Sequence, residues 1–224
     1  FYSAFSDLPL ISLSNHQRKP MPPVNWVNTV YHGLPTTSLR KGDGSGGYLA
    51  FLGRISPEKG PEQAIEIAKR SGLKLKIAAK VDNADREYYE TRIKHLLDHP
   101  LIDFIGEIGD DRKNEFLGNA SALLFPICWP EPFGLVMIES MACGTPVIAF
   151  NCGSVPEVME DGVTGFVVNN VDEAAAAVEK IDTLDRDAIR AAFEKRFSSE
   201  RMAQNYLEVY DRLMAQPASA LAAE

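Results

Sequence analysis

The sequence predicts an α/β fold: a Rossmann-like parallel sheet with helices on both faces. Six short apolar runs have the length and composition of strands: "YLAFLG" at 48–53, "KLKIAA" at 74–79, "LIDFIG" at 101–106, "ALLFP" at 122–126, "PVIAF" at 146–150 and "GFVV" at 165–168. The segments between them carry charges and helix-period apolar residues. Strands separated by helices close through right-handed crossovers into a mostly parallel sheet. The 224 residues suffice for one ordinary domain with extra elements, and a chain of that size buries roughly 70% of its unfolded surface without needing disulfides.

Each end departs from this alternation. In residues 1–40, "LPLISLS" and "NWVNTVYHGLP" resemble two strands joined by the Pro-rich "KPMPP", and they lead into the Gly-rich "KGDGSGG" at 41–47. That arrangement suggests the tail of a preceding domain and its linker. Residues 41–197 hold the sheet. Residues 198–224 read as a closing helix, with a Ser cap and apolar Met202, Tyr206, Val209, Tyr210 and Leu213 at helical spacing, and then a flexible Ala-rich tail from Gln216. The chain opens on Phe1 with no Met and no basic-then-apolar leader, so no signal peptide is visible and a fragment of a longer protein is expected.

Apolar and charged contents of 45% and 24% are those of a globular chain. A net charge of -8 argues against a nucleic-acid partner, since phosphate neutralisation needs a basic face and no basic cluster occurs. No apolar run reaches the roughly 20 residues of a membrane helix, which leaves only peripheral membrane contact open. Cys128, Cys143 and Cys152 are odd in number and lack close CxxC spacing, so buried reduced thiols and a cytoplasmic location are expected.

Two motifs are set aside. Gly42, Gly44 and Gly47 satisfy G-x-G-x-x-G, but they precede the first strong strand instead of following it into a helix, which removes the context a dinucleotide fingerprint needs. Asp185 and Asp187 form a D-x-D on a charged helical stretch, where a solvated face is the better reading.

Two others carry chemistry. "FLGRISPEKG", 51–60, follows the first main strand at the sheet edge where open α/β sheets bind ligands. Its Arg54 and Lys59 flank a Ser-Pro turn able to aim both cations at one diphosphate. Position alone does not separate this from a surface turn with two solvated cations. "PEPFGLVMIES", 130–140, sets Glu131 and Glu139 eight positions apart in an otherwise apolar segment. A helix beginning there would offer the amides of Gly134, Leu135 and Val136 to an anion. A carboxylate in such surroundings needs donors, and sugar or ribose hydroxyls supply them. Spacing by itself favours the structural alternatives, a cap for Glu131 and a buried Arg or amide partner for Glu139.

These residues, together with "VYHGLP", "DFIGEIGDDRKNEFLGNASALLFP", "EPFGLVMIESMACGTPVIAF" and "GSVPEVMEDGVTGFVV", resemble the nucleotide-sugar-dependent glycosyltransferases of the GT-B fold, in the large retaining family that includes bacterial group 1 transferases. Their order and spacing cover nearly all of residues 30–168. The resemblance implies that Glu131 holds hydroxyls of the transferred sugar and Glu139 the ribose. It implies that Arg54 and Lys59, near Gly53, hold the diphosphate and stabilise the leaving group in place of a metal. Phe133, Gly134, Leu135 and Val136 would lie beside sugar and phosphate, and Gly106, Glu107 and Ile108 beside the base.

The chain departs from the family pattern in two respects. The acceptor half, which often supplies a catalytic His, is represented only by residues 1–40, and His16, His32, His95 and His99 are taken as structural or surface residues. After the second main strand, "AAKVDNADREYY" replaces a Gly-rich turn. The expectation is thus the donor-binding half of a retaining, metal-independent glycosyltransferase, inactive alone, with no cofactor beyond its nucleotide-sugar donor and with the missing N-terminal domain as partner. A non-catalytic nucleotide-sugar-binding module is the alternative; a nicotinamide-dependent dehydrogenase shares the sheet but lacks a placed Gly fingerprint.

Overall fold

The computed structural model describes residues 2–215; the Ala-rich stretch from Gln216, expected to be flexible, lies outside them. Two short strands come first, β1 (Leu10–Ser12) and β2 (Trp26–Thr29), paired in parallel and separate from the main sheet. Arg18 ties them, bonding Ser12 Oγ at 2.8 Å and Thr29 Oγ1 at 2.6 Å while its guanidinium lies over the Trp26 ring.

Each of the six apolar runs forms a strand: β3 (Tyr48–Arg54), β4 (Lys74–Lys80), β5 (Ile102–Gly106), β6 (Ala122–Phe125), β7 (Val147–Phe150) and β8 (Gly165–Val168). They pair in parallel in the order β5-β4-β3-β6-β7-β8. The helices are α1 (Pro61–Ser71), α2 (Arg86–Tyr88, continued by a π turn), α3 (Asp110–Gly118), α4 (Leu135–Ala142), α5 (Val155–Val158), α6 (Val171–Val178), α7 (Arg186–Phe197) and α8 (Ser199–Ala215). Period-two alternation divides the strands between two cores. Leu49, Phe51, Ala122 and Leu124 pack with Ile65, Ile67, Ala174 and Val178 of α1 and α6. Tyr48, Ala50, Leu123 and Phe125 pack on the opposite face with Phe116, Ile138, Ile189 and Phe193 of α3, α4 and α7.

The strand order reverses direction at β3. From there the chain first builds outward through β4 and β5, then returns to lay β6 on the other side of β3. The loops leaving β3 and β6 therefore emerge side by side from the C-terminal ends of neighbouring strands, at the switch point where open α/β sheets bind ligands.

The first 40 residues are fastened to this domain by hydrogen bonds from several of its helices. Leu34 accepts from Ser199 N and donates to Phe197 O, both at 2.9 Å. The carboxylate of Glu157 in α5 accepts from the backbone amides of Asn15 at 2.7 Å and His16 at 2.6 Å. In α7, Arg186 donates to the carbonyls of Gly42, Gly118 and Ala120 and to Thr145 Oγ1. Arg190 donates to the carbonyls of Thr36, Leu39 and Ala142.

Helix α8 runs back along the N-terminal segment, with Arg212 donating to Val27 O. Of its apolar set only Val209 is buried, and Tyr210 is exposed along with Leu207 and Met214. The D-x-D has the structural role expected of a helix start: Asp185 caps α7 by accepting from Asp187 N, and Asp187 pairs with Lys41. Among the thiols only Cys143 is buried, and burial pushes its pKa up to about 12. Cys128 is exposed and Cys152 intermediate, because both leave the sheet edge with the crevice loops. Among the described residues no helix is long and apolar enough to cross a membrane.

Replacing Arg190 with Met strands three carbonyls that join residues 36–39 to α4. Urea unfolding of the Arg190→Met chain is expected to give a stability lower by about 2–3 kcal/mol, since each unsatisfied buried acceptor costs about 1–3 kcal/mol before relaxation. An unchanged midpoint would remove this helix as the anchor of residues 36–39.

Candidate functional site

The site grows from three loops meeting above the ends of β3, β6 and β7. Lys59 ends the turn that follows β3, and Gly60 after it is left-handed at φ 72°. A Cβ on Gly60 would lie 2.1 Å from Pro126 O, so this turn touches the β6 loop backbone directly. Cys128 adds a bond from its amide to Glu58 O at 3.1 Å.

The loop after β7 closes from the other side. Ser154 donates from its amide to Glu131 O at 3.0 Å and from its hydroxyl to Phe133 O at 2.8 Å. Gly153, at φ 60°, is so close that a Cβ there would lie 2.5 Å from Glu131 N. Only glycine tolerates both the conformation and the approach.

Helix α4 begins immediately beyond, with left-handed Gly134 (φ 80°) before its first residue and no side chain capping it. Its buried face is Met137, Ile138, Ser140, Met141 and Ala142. Leu135 is exposed and Glu139 lies between the two faces. The uncapped N-terminus, with its positive dipole end, opens toward a cavity of about 290 Å³. Gly53, Lys59, Glu131, Phe133, Gly134, Leu135 and Val136 line it, joined by Leu13 and His32 from the N-terminal segment. This volume lies just under the roughly 300–1,000 Å³ of small-molecule sites.

Lys59 Nζ bonds Glu131 Oε2 at 2.5 Å and lies over the indole of Trp129, 5.3 Å from the ring centroid. Trp129 Nε1 donates to the same carboxylate oxygen at 2.9 Å. Glu131 is thus held by two donors with its side chain 12% exposed, enough to aim it and little enough water to keep the attraction strong.

Glu139 is held likewise, by Lys113 of α3 at 2.8 Å. Burial alone would lower the Lys113 pKa, but its bonds to Glu139 and Asp110 prevail and raise it. The sequence pattern had anticipated an Arg or amide partner for Glu139, and nothing local in "DDRKNEF" marks Lys113 for the role.

The turn does not bring Arg54 and Lys59 onto one partner. Arg54 meets Glu58 at 3.0 Å, Asp82 at 3.5 Å and Asp85 at 4.0 Å, outside the residues lining the cavity. Two of those acids belong to "VDNADREYY", the segment standing where a Gly-rich turn was expected. Gly106 (φ 73°), Glu107 and Ile108 lie apart from this cavity at the end of β5. Glu107 is exposed, and Ile108 borders a second groove under α3 with Tyr48, Lys76 and Arg112. Glu139 also stands outside the residues lining the cavity. His32, read from the sequence as structural or surface, is instead part of the cavity wall, edge-on to Phe133 with ring centroids 5.1 Å apart.

A parallel sheet with lysine-held carboxylates and an open helix N-terminus near its switch point is the class of α/β domain that the fold and this cavity define. The family model for glycosyl transferases group 1 matches residues 42–205, and the chain belongs to that family. It is similar to a D-inositol 3-phosphate glycosyltransferase of Mycolicibacterium smegmatis, 29% identical over 187 residues that cover 82% of this chain and 41% of the relative. It is also similar to an uncharacterized glycosyltransferase of Methanocaldococcus jannaschii, 29% identical over 175 residues, 72% of this chain and 44% of the relative. The chain thus spans less than half the length of either relative.

Among solved structures, the fold matches sucrose-phosphate synthase from Thermosynechococcus elongatus, with a TM-score of 0.78 at 21% identity, over 95% of this chain and 60% of that one. It also matches Anabaena HepE in complex with UDP and glucose, with a TM-score of 0.74 at 19% identity, over 90% and 62%. The Rossmann-like sheet is therefore that of GT-B glycosyltransferases.

Removing the Lys113 cation leaves a largely buried carboxylate without its partner. Lys113→Met is expected to lower stability by about 1–2 kcal/mol, between the roughly 0.2–1 of exposed pairs and the 3–5 of fully buried ones. Adding Glu139→Gln should recover most of the loss, because the stranded charge is gone. A double variant no more stable than Lys113→Met in urea unfolding would show that the two side chains are not coupled.

Proposed function

We propose that the chain is the donor-binding half of a retaining, metal-independent glycosyltransferase that takes its sugar from a nucleotide diphosphate sugar in the cytoplasm. Residues 1–40 are then the tail of the acceptor half, residues 41–197 the donor domain, and residues 198–224 the closing element. What supports this most is the Lys59–Glu131 pair facing the α4 N-terminus across one cavity, in a chain of the group 1 family.

On this reading the pair divides when donor binds. Lys59 turns to the diphosphate, where the α4 amides assist it, and Glu131 is left to accept sugar hydroxyls. Glu139, steadied by Lys113, accepts the ribose hydroxyls. Arg54 exchanges one of its three carboxylates for phosphate. As the bond from the sugar to the diphosphate breaks, these cations and amides take up the growing negative charge, the task a metal performs elsewhere. Gly106, Glu107 and Ile108 flank the base. A relative of similar sheet, Anabaena HepE, has been solved with UDP-glucose, which makes uridine the first base to test.

Calorimetric titration with UDP, GDP and ADP, with and without chelator, tests the proposal. One nucleotide is expected to bind, to survive chelation, and to weaken about tenfold in Glu139→Ala, the equivalent of about 1.4 kcal/mol. The purified chain is expected to transfer little or no sugar. Binding of none of the three, binding abolished by chelator, or efficient transfer by this chain alone would each count against it.

A further inference from the structure

His32 lies upstream of the matched residues 42–205, yet it lines the cavity together with Lys59 and Glu131. Its ring is edge-on to Phe133 at 90°. Phe133 is itself fixed, 2% exposed and in ring contact with Tyr31 and Phe197 at 6.0 Å each. The neighbouring backbone is anchored as well, through the bonds of Leu34 to Phe197 and Ser199. The imidazole is therefore held in place by packing, while neither ring nitrogen has a hydrogen-bond partner among the described residues.

His32 is half-buried, with ring nitrogens that are not sealed from solvent, so they are available to bond a molecule that enters the cavity. The charged groups lining the cavity with it, Lys59 and Glu131, already satisfy each other. Burial lowers the His32 pKa below its usual value, so the ring is neutral at pH 7. A neutral imidazole offers one donor and one acceptor. That combination matches a hydroxyl, which also donates and accepts, better than a phosphate, which only accepts and is better served by Lys59 and the helix amides.

We infer that His32 is a direct ligand of the donor sugar, hydrogen-bonding one of its hydroxyls and so discriminating a nucleotide sugar from the bare nucleotide. The inference rests on the donor-binding reading. It places a sugar-recognising group in the segment before the matched family residues.

Calorimetry with UDP and UDP-glucose on the unsubstituted chain, His32→Ala and His32→Asn tests it, with the GDP or ADP pair used instead if that base binds. In His32→Ala, UDP should bind within about twofold of the unsubstituted chain, while the preference for UDP-glucose over UDP falls about fivefold, the size of one hydrogen bond. His32→Asn, which keeps a donor and an acceptor, should retain part of that preference.

Imidazole NMR of the unsubstituted chain, assigned through His32→Asn, gives the second measurement. The His32 signals should move with UDP-glucose and stay in place with UDP. An unchanged preference, equal weakening toward both ligands, or His32 signals unmoved by UDP-glucose would overturn the inference while leaving the donor site standing. No binding by the unsubstituted chain would overturn both.

Discussion

The position of Glu131 depends on backbone touching backbone. The turn after β3, the loop after β6 and the loop after β7 meet with glycines at the contacts, Gly60 against Pro126 and Gly153 against Glu131. A side chain at either place would drive the loops apart, and Lys59, Trp129 and Glu131 would no longer converge. Everything beneath serves this meeting. The parallel order brings the ends of β3 and β6 side by side, and the cavity lies against those ends, between the joined loops and the N-terminal segment.

Electrostatics completes what the glycines begin. Each acid of the spaced pair already has a lysine, Lys59 for Glu131 and Lys113 for Glu139. Desolvated carboxylates are costly without partners, so the lysines let the chain keep two charges in a segment that otherwise packs like core. The two pairs differ in their relation to the cavity. Lys59 lies in the cavity wall, whereas Lys113 lies outside it and is shared between Glu139 and Asp110.

The sheet was legible because each strand announces itself over four to seven neighbouring residues, through runs such as "YLAFLG" and "KLKIAA". The loop-to-helix start at Gly134 was legible for the same reason, as a Pro-rich loop gives way to a helix-period stripe within a few residues. What escaped the sequence is what long-range contact decides. Lys113 reaches Glu139 across 26 positions. Arg54 is drawn to Asp82 and Asp85 by a turn between β4 and α2 whose shape no local pattern encodes. His32 reads as one more polar residue in a strand-like stretch until the ring of Phe133 is placed beside it.

The N-terminal segment shows why the cavity belongs to more than the sheet. Its residues form only a two-stranded sheet of their own, too small for independent stability. Their order is supplied by the domain: Glu157 takes the amides of Asn15 and His16, Arg190 takes the carbonyls of Thr36 and Leu39, and Leu34 bridges to Ser198. The same bonds that hold the segment deliver Leu13 and His32 to the cavity. Helix α7 and the start of α8 therefore bear on the shape of the cavity from a distance, because their bonds to residues 34–42 fix the segment that carries the Leu13 and His32 wall.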